Sequence, residues 1–231
     1  MKMKKLLLII MSAVMLSSAT ASAAEFNDIH GHWAEAVINR LADGGVVSGI
    51  SAGEFAPENT VTRAQYLKMI MNAVGISEEP CSTDMCLDAA KGEWYCGYLN
   101  SALSKGLIPD EMITDYKAEI VQNAEGTEAS IVYSGKFNAN QPINREEMAF
   151  ITVSMYQYIL NAKTMQSMVE PSNISFTDKE EISLWTVSGV ELAAANGIIT
   201  GMDDGSFKPK ETATRAQAAT IIGRVLDKLG K

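Results

Sequence analysis

Three copies of one spacing constrain this 231-residue chain more than any other feature. Trp33, Trp94 and Trp185 are each followed twelve positions later by a glycine: Gly45, Gly106 and Gly197. Phe55, Phe137 and Phe207 are each followed eight positions later by an arginine: Arg63, Arg145 and Arg215. Each arginine lies in a short polar box, Thr62-Arg63-Ala64-Gln65, Asn144-Arg145-Glu146-Glu147 or Thr214-Arg215-Ala216-Gln217. A unit copied within one chain implies stacked or pseudo-symmetric units that share a core. A site built on the unit can then occur three times.

Each unit reads as helix, loop, helix. In the first, Trp33, Val37, Ile38 and Leu41 share one helical face, and Gly44-Gly45 supplies a positive-φ stop. Phe55 is tucked into the loop that follows, and Thr62 opens a second helix ending near Gly75. The third unit repeats this almost residue for residue, with Gly197-Ile198-Ile199-Thr200-Gly201 echoing Gly45-Val46-Val47-Ser48-Gly49. The second diverges: thirty-one positions separate Gly106 from Phe137, against ten between Gly45 and Phe55. The inserted stretch, about 107–136, reads as a surface hairpin, Glu119-Ile120-Val121 and Ser130-Ile131-Val132-Tyr133 about Gly126. The expected divisions are 1–24, 25–76, 84–161 and 174–231, with a linker over 161–173.

Residues 1–24 read as a signal peptide. Lys2, Lys4 and Lys5 precede the apolar run Leu6 to Leu16, and Ala21-Ser22-Ala23 fits a cleavage site. An exported chain follows, with no membrane insertion after cleavage. Loss of those three lysines takes the formal net charge from −9 to about −12. Such acidity argues against nucleic acid and anionic membranes as partners. Export permits a disulfide among Cys81, Cys86 and Cys96, whose spacing fits no zinc pattern. Cys86 stands where Phe26 and Phe176 stand in the other units, so it also suits a core position.

The polar boxes are capping boxes, with Thr62, Asn144 and Thr214 as caps. They put Arg63, Arg145 and Arg215 at the first helical position, where the helix dipole disfavours a cation by ~0.3–1 kcal/mol. One compensation is an anion held between guanidinium and helix N-terminus. The other is an ion pair with a nearby acid of the Asp28, Asp88 and Asp178 class. The repeated placement favours the anion. Trp33, Trp94 and Trp185 serve either as packing residues or as an aromatic wall for a sugar ring. The pairs Gly45/Gly49 and Gly197/Gly201 allow close backbone approach to a ligand or simply make turns. Asp110 takes the second glycine's place in the middle unit. His30 and His32 suit a turn better than a metal site, and no metal or cofactor is expected.

The order F-x-D, H-W-A, G-V-V-S-G, F-A-P and T-R-A-Q, at Phe26, His32, Gly45, Phe55 and Thr62, resembles the S-layer homology domain. The third unit matches with Leu184-Trp185-Thr186 for H-W-A, and the second through Asp88, Trp94, Gly106 and Asn144-Arg145-Glu146-Glu147. Departures are Ala52, where the family often has Asp, and the insertion. The resemblance implies a mainly α fold: three helix–loop–helix repeats in a pseudo-threefold prism around a central helical bundle, with grooves between repeats. It implies a non-catalytic protein, secreted and bound to the cell wall or S-layer. The partner would be a secondary cell-wall polysaccharide joined to peptidoglycan, often ending in a pyruvylated amino sugar. The implied contacts are Arg63, Arg145 and Arg215, the three tryptophans, and Gly45, Gly49, Gly106, Gly197 and Gly201. A structural subunit of a surface assembly, contacting other surface proteins, is the alternative. An enzyme acting on wall glycans ranks last, since no carboxylate pair or Gly-x-Ser-x-Gly stands out.

Overall fold

The computed structural model describes residues 25–81, 88, 92–122, 126, 129–162 and 176–231. The signal segment, Cys86 and most of the 161–173 linker lie outside the described residues. The fold is mainly helical. Among the described residues the order is α1 (Glu35–Asp43), α2 (Arg63–Val74), α3 (Cys96–Ser104), β1 (Thr114–Gln122), β2 (Ala129–Lys136), α4 (Arg145–Ala162), α5 (Val187–Ala195) and α6 (Arg215–Lys228). Short 3₁₀ turns occupy Asp110–Met112 and Lys179–Glu181. Strands β1 and β2 pair antiparallel from Lys117↔Ser134 to Gln122↔Ala129, which is the hairpin expected in the insertion.

The capping boxes form as the sequence predicts. Thr62 Oγ1 accepts from Gln65 N at 3.2 Å, and the Gln65 side chain accepts from Thr62 N at 3.0 Å. Thr214 with Gln217 and Asn144 with Glu147 repeat the exchange. Such caps are worth about 0.5–2 kcal/mol each. They start the three helices that meet at the centre, since α2, α4 and α6 all contact one another. Tyr66, Leu67, Ile70, Ile151, Met155, Ala219 and Ile222 are fully buried there. The Tyr66 hydroxyl bonds Thr152 between α2 and α4, and burial pushes that phenol up, more than the Thr152 bond lowers it.

Each outer helix packs on an inner helix other than the one that follows it in sequence. α1 packs on α6, α3 on α2, and α5 on α4. A closed circuit of main-chain bonds ties the starts of the inner helices together. Val61 N donates to Ala213 O at 3.0 Å, Ala213 N to Ile143 O at 2.9 Å, and Ile143 N to Val61 O at 3.0 Å.

Phe55 is fully buried, as expected, and so are Phe137 and Phe207. The residue after each, Ala56, Asn138 or Lys208, adopts a left-handed conformation with φ of 57°, 55° and 57°. That backbone is held from below by aspartate. Asp28 accepts from Phe55 N and Ala56 N at 2.9 and 2.6 Å, and Asp178 from Phe207 N and Lys208 N at 2.7 Å each. Asp88 accepts from Phe137 N and Ala139 N at 2.8 and 3.2 Å.

Candidate functional site

The three arginines are buried, at 5–7% exposure, and each reaches across to a loop distant in sequence. Arg215 Nε donates to Phe55 O at 2.8 Å, and its Nη2 donates to Ser48 O at 2.8 Å. Arg145 Nε donates to Phe207 O at 2.8 Å, and its Nη2 to Thr200 O at 3.2 Å. Arg63 Nη1 donates to Phe137 O at 2.8 Å. The guanidinium carbons stand 4.5, 5.0 and 5.9 Å from the centroids of Phe55, Phe207 and Phe137 respectively. Each buried phenylalanine therefore gives its main-chain N–H to an aspartate and its carbonyl to an arginine. The aspartates hold the loops rather than pairing directly with the arginines, as the simplest ion-pair expectation would have it.

The helix N-termini are not open to an anion. Arg63 N and Ala64 N donate to Gln141 O and Ala139 O, both at 2.9 Å. Arg145 N and Glu146 N donate to Glu211 O and Pro209 O, and Arg215 N and Ala216 N to Asn59 O and Pro57 O. The cap takes the third N–H. Contrary to the expectation from the helix dipole, the main chain offers an anion no open donors there, because loops distant in sequence satisfy them. What remains for a ligand is side-chain charge.

Desolvation brings the Arg145 and Arg215 pKa values below the usual arginine range, against the raising charges of Glu211 and Asp178 for the first and Asp28 for the second. Both stay cationic at neutral pH. Desolvation opposes ionisation of Asp28, yet the Phe55 and Ala56 N–H groups and the Arg215 charge bring its carboxyl below the usual 3.8. Asp178 is lowered in the same way: desolvation works against it and the N–H groups of Phe207 and Lys208 outweigh this.

Two clefts run beside these arginines. The larger, about 560 Å³, is lined by the 45–50 turn, by Gln65, Lys68, Met69 and Asn72 of α2, by Trp94 and by Arg215. The smaller, about 170 Å³, is lined by the 199–202 turn, by Gln217, Thr220, Ile221 and Arg224 of α6, by Trp33 and by Arg145. Each joins a turn and the inner helix that follows it to a tryptophan and an arginine from distant parts of the sequence. Trp33 and Trp94 are 63% and 46% exposed, each two residues ahead of its helix rather than within it. No carboxylate lines either cleft among the described residues.

The corresponding place on α4 differs. Glu147, where α2 and α6 carry glutamine, takes Arg63 through both Nε, at 3.1 Å, and Nη2. Phe150 stands where Lys68 and Thr220 stand, and Trp185 lies edge-on against it at 5.6 Å. Arg63 is thus spent on a buried ion pair, and Trp185 is half-buried in packing.

Gly45, Gly106 and Gly197 have φ of 68°, 65° and 61°, the left-handed turn expected after each outer helix. Gly49 and Gly201 are required by packing: an added Cβ would come within 2.8 Å of the Phe26 ring and 2.9 Å of the Phe176 ring. Cys81 and Cys96 form a disulfide at the start of α3, two residues after Trp94. His32 accepts from Ala34 N at 3.1 Å and meets Glu58 at 2.7 Å, a turn role. Sequence reasoning missed Lys68 and Arg224. Their signal was a cation on the helix face shared with Gln65 and Gln217, three and seven positions along.

The S-layer homology domain profile matches residues 25–67 and 175–219. An amylopullulanase of Thermoanaerobacterium thermosulfurigenes is 34% identical over 208 residues, 89% of this chain and 10% of that protein. Exoglucanase XynX of Acetivibrio thermocellus is 33% identical over 216 residues, 92% of this chain and 17% of its own length. The surface-layer 125 kDa protein of Lysinibacillus sphaericus is 25% identical over 223 residues, 95% of this chain and 16% of its own. The chain thus spans only 10–17% of these relatives' lengths. Among the described residues, no helix is long and apolar enough to cross a membrane. On these matches the chain is an S-layer homology domain protein, carrying that domain at residues 25–67 and again at residues 175–219.

Proposed function

We propose that this chain attaches to the bacterial cell wall, without catalysis, by binding an anionic secondary cell-wall polysaccharide joined to peptidoglycan. The observation that carries the reading is charge placement. A chain of formal net charge −9 carries two clefts that each hold two cations, Arg215 with Lys68 and Arg145 with Arg224. Each also offers an exposed tryptophan, suited to the apolar face of a sugar. A pyruvyl ketal on the sugar would supply the carboxylate. The protein would be secreted, with residues 1–24 removed.

In this reading the chain is a pseudo-threefold prism of units 25–76, 84–161 and 174–231. The cyclic helix packing and the main-chain circuit through Val61, Ile143 and Ala213 support it. Two of three grooves take ligand, through Trp33, Trp94, Arg145, Arg215 and the turns about Gly45–Gly49 and Gly197–Gly201. Arg63, Trp185 and Gly106 serve the third position, which Glu147 and Phe150 fill. The relatives named as enzymes match over a tenth to a sixth of their length, which suits an attachment role shared with them rather than their chemistry.

The test is co-sedimentation with purified wall sacculi, before and after the secondary polymer is stripped. Retention on intact sacculi and release from stripped ones is expected. Equal retention on both would refute the reading.

A further inference from the structure

The two clefts share a floor but not a charge pattern. Lys68 and Asn72 of α2 align with Thr220 and Arg224 of α6, and all four line their clefts. The second cation has moved four residues, or ~6 Å along the helix. Its head also lies against a different wall. Lys68 Nζ stands 5.4 Å from the Trp94 ring centroid and 5.6 Å from that of Tyr98, at the tryptophan rather than at a carbonyl of the turn. Arg224 Nη1 donates to Ile198 O at 3.2 Å, in the turn that also receives Arg145 at Thr200 O. Neither Lys68 nor Arg224 has a carboxylate partner among the described residues.

Resting on the polysaccharide reading above, we propose that the clefts read different anions and that Lys68 and Arg224 determine the difference. In the Trp33 cleft, Arg145 and Arg224 stand on one wall and converge on a single acidic group. The Trp33 face, with no cation over it among the described residues, stacks on the sugar that bears this group. In the Trp94 cleft, Arg215 stands at the turn and Lys68 at the tryptophan, and they bridge two acidic groups on neighbouring sugars. Lys68 already covers one face of the Trp94 ring, which leaves the other face for a sugar there. The volumes, about 170 Å³ against about 560 Å³, agree with one sugar against a longer segment.

The test uses two synthetic probes: a pyruvyl-ketal amino-sugar methyl glycoside with one carboxylate, and a disaccharide with one such group on each ring. The indole N–H signals of Trp33 and Trp94, assigned with Trp33→Phe and Trp94→Phe, report each cleft by NMR titration. The monoanionic probe should shift Trp33 at least tenfold more tightly than Trp94, and Arg224→Met should remove that preference. The dianionic probe should shift Trp94, with about tenfold loss in Lys68→Met and retention in Lys68→Arg. Equal response of both indoles to the monoanionic probe would overturn the proposal, as would Lys68→Met weakening both probes alike or neither. Failure of the wild-type protein to bind sacculi sinks the polysaccharide reading itself. Sacculus binding with indistinguishable clefts sinks only this inference.

Discussion

Arg63 and Glu147 form a buried ion pair, at 8% and 7% side-chain exposure, where the other two positions carry arginine and glutamine. Replacing Arg63 with methionine removes both bonds to Glu147, the donor to Phe137 O and the cation over the Phe137 ring. It leaves a carboxylate in a closed space. Breaking a buried pair this way costs about 3–5 kcal/mol. In a chain of this size that is roughly a 10 °C fall in midpoint. Glu147→Gln keeps the volume and the Asn144 cap, and reproduces what Gln65 and Gln217 do in their units. Its cost should be nearer 1–2 kcal/mol, the loss of one charge-assisted bond. The double variant no longer strands a charge, so it should be more stable than the sum of the singles by about 1.5–3 kcal/mol. Urea denaturation followed by far-ultraviolet circular dichroism at pH 7 measures the cycle. Sacculus binding of the folded Arg63→Met protein should equal wild type. Additivity within about 0.5 kcal/mol would refute the pair as described, and loss of binding in a folded Arg63→Met would refute its assignment to structure rather than ligand.

Ala56→Gly should stabilise the protein by about 0.5–1 kcal/mol, since glycine relieves the left-handed strain at φ 57°; Asn138→Gly, starting from a residue that tolerates this region, should change little, and thermal melts decide. Asp28 and Asp178 have folded pKa values below the unfolded 3.8, so they stabilise the fold above that pH and lose the contribution as pH falls below it. Urea midpoints should therefore drop as pH goes from 5 to 3, and less steeply in Asp28→Asn. Reducing Cys81–Cys96, which spans a separation of 15, should lower stability by about 3 kcal/mol in the chain-entropy picture. It should also broaden the Trp94 indole signal while leaving Trp33 unchanged.

Much of the fold was readable because its determinants are local. Thr62 with Gln65 is a cap wherever it occurs, and a glycine such as Gly45 twelve positions after a tryptophan marks the end of a helix. The hairpin about Gly126 followed from strand-forming runs. The site was legible only in part, because its decisive contacts are long-range. The sequence at Arg63 resembles that at Arg215, yet one meets Glu147 and the other Ser48 O. Nothing near either arginine tells these apart. The difference lies in one residue, Glu147 for glutamine, 84 positions from Arg63. The helix N-termini misled for the same reason: their acceptors, such as Gln141 O and Asn59 O, come from another unit.

The seating of α1 on α6 has a temporal consequence. Arg40 of α1 bonds Asp227 of α6, 187 residues later, and Ile38 and Leu41 are buried on the inward face of α1. Synthesis and export both deliver α1 long before the surface of α6 on which it rests. Closure must wait for the last segment, a slow, non-local step during which apolar surface stays uncovered. Helix α1 is thus among the last of the described elements to find its place, and removing the fourteen-residue α6 should leave it without a seat.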